Sequence, residues 1–193
     1  MDNTSTMIRL LSRLKTEMNG EVVDYMQVHG LNYPLSYGVS SATVRTIAKE
    51  YAPNHNLAEF LYKQQVRELQ LAAATIADPQ KVNEADLDFW IQGITTMEMA
   101  ENVASFLLSR TDVADIVSHR WIEHENENVR YCALITAVKA LSTGKIKDGT
   151  VEHIVLRLKE ATDTPTLRAL CSLIERYILT NESKAQRIRS QIK

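Results

Sequence analysis

Apolar residues recur every three or four positions along most of the chain, the spacing that lines them up on one face of an α-helix. Met7, Leu10, Leu11, Leu14 and Met18 predict a helix from about Thr6 to Met18, stopped by Asn19-Gly20. Glu21–His29 makes a second, closed by Gly30. After the loop LNYPLSYG, Ser40 caps a helix carrying Val44, Ile47, Ala48 and Tyr51, with Val39 and Val44 at the spacing of a hydrophobic staple. Asn56 and Glu59 read as a capping box ahead of Phe60 and Leu61. Val66, Leu69, Ala72, Ala73 and Ile76 follow, and Asn83 then opens a helix with Leu87, Trp90, Ile91 and Ile94.

At the middle lies TTMEMAENVASFLL, Thr95–Leu108, in which Thr95 and Glu98 form a capping-box pattern. Val113 to Ile122 and Val129 to Leu141 mark two further helices, the second started by Asn126 and ended near Gly144. Val151, Ile154, Val155 and Leu158 mark another. Thr164 reads as a cap with Pro165 in the first helical position, and Asn181 opens a last, basic helix. Some dozen helices with short links and no strand alternation predict an all-α protein of antiparallel helix pairs. Asn126 and Thr164 open two Ala/Leu/Cys-rich helices about 40 residues apart, the period of HEAT-type repeats. The expected architecture is a HEAT/ARM-like α-solenoid forming one domain over 1–193.

Composition agrees with that picture. The 193 residues are 45% hydrophobic and 24% charged, with 6 Gly and 4 Pro, which describes a folded, loop-poor chain. A net charge of −2 does not indicate a strongly basic nucleic-acid binder, although it leaves room for a local basic patch. Cys132 and Cys171 lie among Ala and Leu, so both read as small buried apolar residues in a reducing compartment. With no long apolar run and no signal-peptide pattern, the expectation is a cytoplasmic protein without a membrane partner.

Candidate chemistry is sparse. The histidines lack metal-ligand spacing, and no glycine-rich phosphate loop or nucleophile elbow is present, so neither metal nor cofactor is expected. In the central helix, Met97, Glu101, Ala104 and Leu108 fall on one stripe. Glu101 is then either a stripe-edge acid reaching solvent or a neighbouring Arg, or a carboxylate aimed into a cleft. Arg45 and Lys49 share a helix face, Arg130 and Arg168 stand near the starts of two long helices, and Lys184, Arg187, Arg189 and Lys193 form a basic cluster. Such side chains hold phosphates, or simply cover solvated helix faces.

Several motifs carry a family resemblance. YGVSSATVRTIAKEY, Tyr37–Tyr51, with Tyr25-Met26 ahead of it and Leu61-Tyr62, Arg67-Glu68 and Ala72 after it, resembles the AlkD-type DNA alkylation repair family, which are HEAT-like-repeat alkylpurine DNA glycosylases. His124-Glu125-Asn126 before Arg130 and the segment LRALCSLIERY extend the resemblance over most of residues 7–180. It implies a curved helical solenoid that binds duplex DNA, including alkylated DNA, in a concave groove.

The resemblance also implies a site and shows it altered. The family's Trp-x-x-x-Asp falls on Met97 and Glu101, its groove Arg on Tyr131 beside Arg130, and its second Trp on Leu173. Tyr25 is retained as a groove aromatic, and Arg45, Lys49, Arg130 and Arg168 are the expected contacts to the DNA backbone. Each lost aromatic removes a cation–π contact of about 0.5–2 kcal/mol. The expectation is a DNA-binding relative, with Glu101 as the catalytic counterpart and glycosylase activity weak, altered or lost. The alternative is a non-enzymatic HEAT-like scaffold with a protein partner.

Overall fold

The structure, a computed structural model, describes residues 2–179 together with Ser183, Gln186 and Ile188. Among them are eleven α-helices and no strand. Lys184, Arg187, Arg189 and Lys193 of the basic cluster lie outside the described residues. The chain divides into two compact units, Met1–Lys81 and Val82–Lys193.

The first unit contains α1 (Asn3–Lys15), α2 (Gly20–Val28), α3 (Ser41–Ala48), α4 (His55–Tyr62) and α5 (Arg67–Ile76). Helix α1 packs on α3 and α4, and α5 packs on both of these as well. Leu10, Leu14, Val44, Leu57, Leu61, Leu69 and Ile76 fill the core between them. The starts of two helices differ from expectation. Asp2 caps α1 through the Ser5 N–H, so the helix runs from Asn3. Asn54, not Asn56, caps α4 by accepting from the Leu57 N–H at 3.1 Å. Ser40 caps α3 as its sequence predicts, with Val39 and Val44 both buried at that end.

The loop before α3 is held by a buried ion pair. Arg67 and Glu68, 1% and 0% exposed, lie 2.9 Å apart at the start of α5. Glu68 also accepts from the backbone N–H groups of Tyr37 and Val39 and from the Ser36 hydroxyl, while Arg67 donates to the Val39 carbonyl at 2.8 Å. Each charge is thereby surrounded by hydrogen-bonding partners, the condition for keeping an ion pair inside a core. Gly38 completes the turn at φ +70°, and a Cβ there would stand 2.0 Å from the Asn19 carbonyl oxygen. Only glycine fits both constraints.

The second unit contains α6 (Leu87–Ile91), α7 (Met97–Phe106), α8 (Ala114–Trp121), α9 (Glu127–Ala140), α10 (Asp148–Leu158) and α11 (Thr164–Ile178). Helix α9 is its centre, flanked by α7, α8 and α11, while α10 packs on α8 and α11. A helix enclosed on three sides needs apolar or small residues all round. Accordingly Val129, every residue from Tyr131 to Val138, and Ala140 are buried. Cys132, Ala133, Ala137 and Ala140 let the neighbouring helices approach closely. The helices thus form two layers, α7–α9–α11 and α8–α10. No described helix is long and apolar enough to cross a membrane.

Candidate functional site

The site begins at the first turns of α7, α9 and α11. Thr96, rather than Thr95, caps α7 by accepting from the Met99 N–H at 3.2 Å. The Thr95 carbonyl is taken instead by the Asn128 side chain of α9, at 3.1 Å. That bond places the starts of α7 and α9 side by side, so the two helices run in the same direction. Asn126 caps α9, and Asp163, rather than Thr164, caps α11 by accepting from the Thr166 N–H at 2.9 Å.

In this arrangement Glu101, Tyr131 and Arg168 are each the fifth residue of their helix, counting from Met97, Glu127 and Thr164. Tyr131 is 9% exposed. Burial raises its phenol pKa above the ordinary tyrosine value, and the negative charges of Glu101 and then Asp163 raise it further. Glu101 therefore lies within electrostatic reach of Tyr131, a relation that sequence spacing alone does not supply.

The stripe expected in α7 divides along its length. Ala104 and Leu108 are fully buried, Met97 is half-buried, and Glu101 is exposed to solvent. Leu108 already lies beyond the last residue of the helix. The solvent-reaching alternative for Glu101 is thus the one observed, with Tyr131 within electrostatic reach.

Leu173 is fully buried. It belongs to the core and offers no groove surface, because its face of α11 also carries buried Ala169, Leu170 and Tyr177. Arg130 is tied locally: its Nη1 donates to the His124 carbonyl at 2.9 Å and to the Glu125 carbonyl at 2.7 Å. It braces the turn leading into α9. Arg168 is exposed.

In the first unit, Arg45 is half-buried within α3 and Lys49 is exposed at its end. Tyr25 is 61% exposed, and its ring stacks on His29 with centroids 3.9 Å apart. Cys132 is buried, with burial pushing its thiol up to about 12, whereas Cys171 is exposed, contrary to the sequence expectation for it. Among the described residues no group of three or more His, Cys, Asp or Glu side chains is placed to hold a metal ion.

A cleft of about 350 Å³ opens beside Tyr131, walled by α9, the end of α10 and the start of α11. Glu127, Glu160 and Asp163 line it together with Arg130 and Arg157. Arg157 points its Nε at Glu123, 3.1 Å away. Exposed acids thus outnumber bases along this edge.

The family model for DNA alkylation repair enzymes matches residues 10–174. The chain belongs to that family. A solved structure, reported as "a new family of proteins related to the HEAT-like repeat DNA glycosylases with affinity for branched DNA structures", superimposes with a TM-score of 0.74. It is 23% identical and covers 100% of this chain and 83% of that one. The likeness establishes a shared HEAT-like fold. A search of curated proteins gives no match. The DNA alkylation repair assignment reached from Tyr37–Tyr51 and the later motifs therefore stands, as does the all-α HEAT-like architecture.

Proposed function

We propose that this member of the DNA alkylation repair family binds DNA and has weak, altered or lost glycosylase activity. The family match over residues 10–174 carries the first half of the reading. Arg168, Arg45 and Lys49 supply the phosphate contacts, while Arg130 acts by bracing its own turn. Tyr25 offers an exposed ring for stacking against a nucleotide.

The altered site supports the second half. Stabilising a developing sugar cation works best with a carboxylate held in a dry, low-dielectric pocket. Glu101 is exposed, Met97 has replaced the aromatic neighbour, and Leu173 is committed to the core. The solved relative's reported affinity for branched DNA makes both branched and linear duplexes the substrates to try.

The test is a glycosylase assay on alkylated DNA with binding measured in the same tube. The expected result is salt-dependent binding with little base release. Arg168→Ala is expected to reduce the salt slope by about one. Absence of binding at low salt to either form of DNA overturns the proposal. Rapid base release abolished by Glu101→Gln overturns its second half.

A further inference from the structure

Asn19-Gly20, the joint between α1 and α2, is the one Asn-Gly step in the chain. Asn19 is exposed and caps α2, its side-chain oxygen accepting from the Val22 N–H at 3.4 Å. Gly20 is the first residue of that helix. Its N–H has no carbonyl a turn earlier to bond, and it makes no other hydrogen bond among the described residues. A Cβ built on Gly20 would meet nothing within 4 Å, so the approach to its nitrogen is open.

These features suit an acyl transfer within the chain. A side-chain amide is a poor electrophile, and a peptide nitrogen is a poor nucleophile until it loses its proton. Placing the two in adjacent residues removes the entropy cost of bringing them together. The cap folds the Asn19 side chain back over the first turn of α2. The Val22 N–H then points at the oxygen on which negative charge grows when Cγ is attacked, as an oxyanion-hole donor does. The positive end of α2 favours that charge and the deprotonated Gly20 nitrogen as well.

We propose that Asn19 is a self-modification site, where the chain converts its own asparagine to aspartate and isoaspartate. Hydroxide takes the Gly20 amide proton, the nitrogen bonds to Asn19 Cγ, and the Cγ–Nδ2 bond breaks. Ammonia leaves after taking a proton from water, which restores the hydroxide. A second bond then breaks as water opens the cyclic imide. Water entering at Cγ restores the original backbone and leaves aspartate. Entering at the main-chain carbonyl carbon, it leaves isoaspartate, with the chain running through the former side chain. The balance is one water consumed and one ammonia released, with no oxidant or reductant.

The two products differ in consequence. Aspartate keeps the cap and adds a negative charge at the positive end of α2. Isoaspartate lengthens the backbone by a methylene at a joint without slack. The Asn19 N–H donates to the Tyr37 carbonyl at 2.9 Å, and the Asn19 carbonyl lies close enough to Gly38 that a Cβ there would stand 2.0 Å from it. Isoaspartate therefore unseats α2, and Tyr25 with it, from the clamped loop 36–39. The inference does not depend on DNA binding.

The test is incubation of the full chain in mildly alkaline buffer, followed by peptide mapping by mass spectrometry and enzymatic methylation of isoaspartate. Residue 19 is expected to turn acidic severalfold faster than Asn54 or Asn126, which also cap helices but precede His55 and Glu127. Gly20→Ala keeps the fold, because the added Cβ is uncrowded, and is expected to slow conversion severalfold by hindering the nitrogen. Asn19→Ser keeps a cap and is expected to yield no isoaspartate in this peptide. Amide exchange in α2 of the aged chain is expected to split into a protected population, matching Asn19→Asp, and an unprotected one. Residue 19 remaining asparagine while a free peptide of residues 15–25 converts overturns the proposal. So does an unchanged rate in Gly20→Ala, or conversion no faster than at Asn54 and Asn126. Isoaspartate chains that exchange in α2 as slowly as fresh ones overturn the consequence drawn for that helix.

Discussion

Replacing Glu68 by alanine is expected to be among the most damaging single changes in the first unit. The substitution leaves the Arg67 guanidinium, 1% exposed, without its carboxylate. It also strips the Tyr37 and Val39 N–H groups of their acceptor. Removing one partner of a buried pair costs about 3–5 kcal/mol, and each orphaned buried donor adds about 1–3 kcal/mol before relaxation. These terms share one network and do not add fully, so about 4 kcal/mol is the working figure. Against a total stability of about 5–15 kcal/mol, that is enough to unfold a substantial fraction of the unit in mild denaturant.

Urea unfolding gives the free energy, and amide exchange at residues 36–39 locates the loss. The double variant Arg67→Met/Glu68→Leu removes both charges and is expected to lose less than Glu68→Ala alone. Glu50→Ala breaks an exposed pair with Arg13 and is expected to leave the transition almost unmoved. A Glu68→Ala loss below about 1 kcal/mol, or faster exchange spread evenly over the unit, refutes the clamp.

Four further outcomes are expected. Gly38→Ala forces a Cβ onto the Asn19 carbonyl at positive φ, so thermal melting should show destabilisation of more than about 1 kcal/mol. Leu173→Trp should not restore a groove aromatic but overpack the core, at about 1–3 kcal/mol by urea unfolding. Glu101→Gln removes a negative charge near Tyr131, so the phenol pKa, followed by NMR, should fall toward the ordinary tyrosine value; no movement breaks the proximity argument. Asp115 concerns acid stability. Burial alone would raise its pKa, but the Lys147 backbone N–H, Thr150 and the Lys147 ammonium outweigh that and hold it below the usual carboxylate value. A lowered folded-state pKa stabilises above the unfolded pKa and loses that contribution as pH falls through the folded one. Asp115→Asn should therefore flatten the stability profile below about pH 4.

The fold was readable because helix periodicity and cap residues are local signals. Ser40 and Asn126 cap as their spacing predicts, whereas Asn83 caps a short 3-10 turn, Glu84–Asp86, that leads into α6. Thr95, Asn56 and Thr164 fail because another capping residue lies one or two positions away, and local pattern cannot choose between adjacent candidates. Cys171 and Leu173 sit two residues apart on α11, yet one is exposed and the other buried. Composition treats them alike, whereas the packing of α11 on α9 and α10 separates them. The Arg67–Glu68 clamp reads in sequence as two ordinary charges at a helix start. Its partners lie about thirty residues earlier, beyond any periodicity. The nearness of Glu101, Tyr131 and Asp163 likewise depends on which helices lie side by side.

That side-by-side order gives the second unit something like an address system. Position five of α7 holds an acid, position five of α9 a phenol and position five of α11 a base. Glu101 and Arg168 face solvent, so the residues that fill the core scarcely register a change at either address. Ligand preference can then be rewritten one helix at a time while the packing code stays constant. A lineage of such chains can remain recognisable along almost its entire length and still part company with its relatives in what it holds.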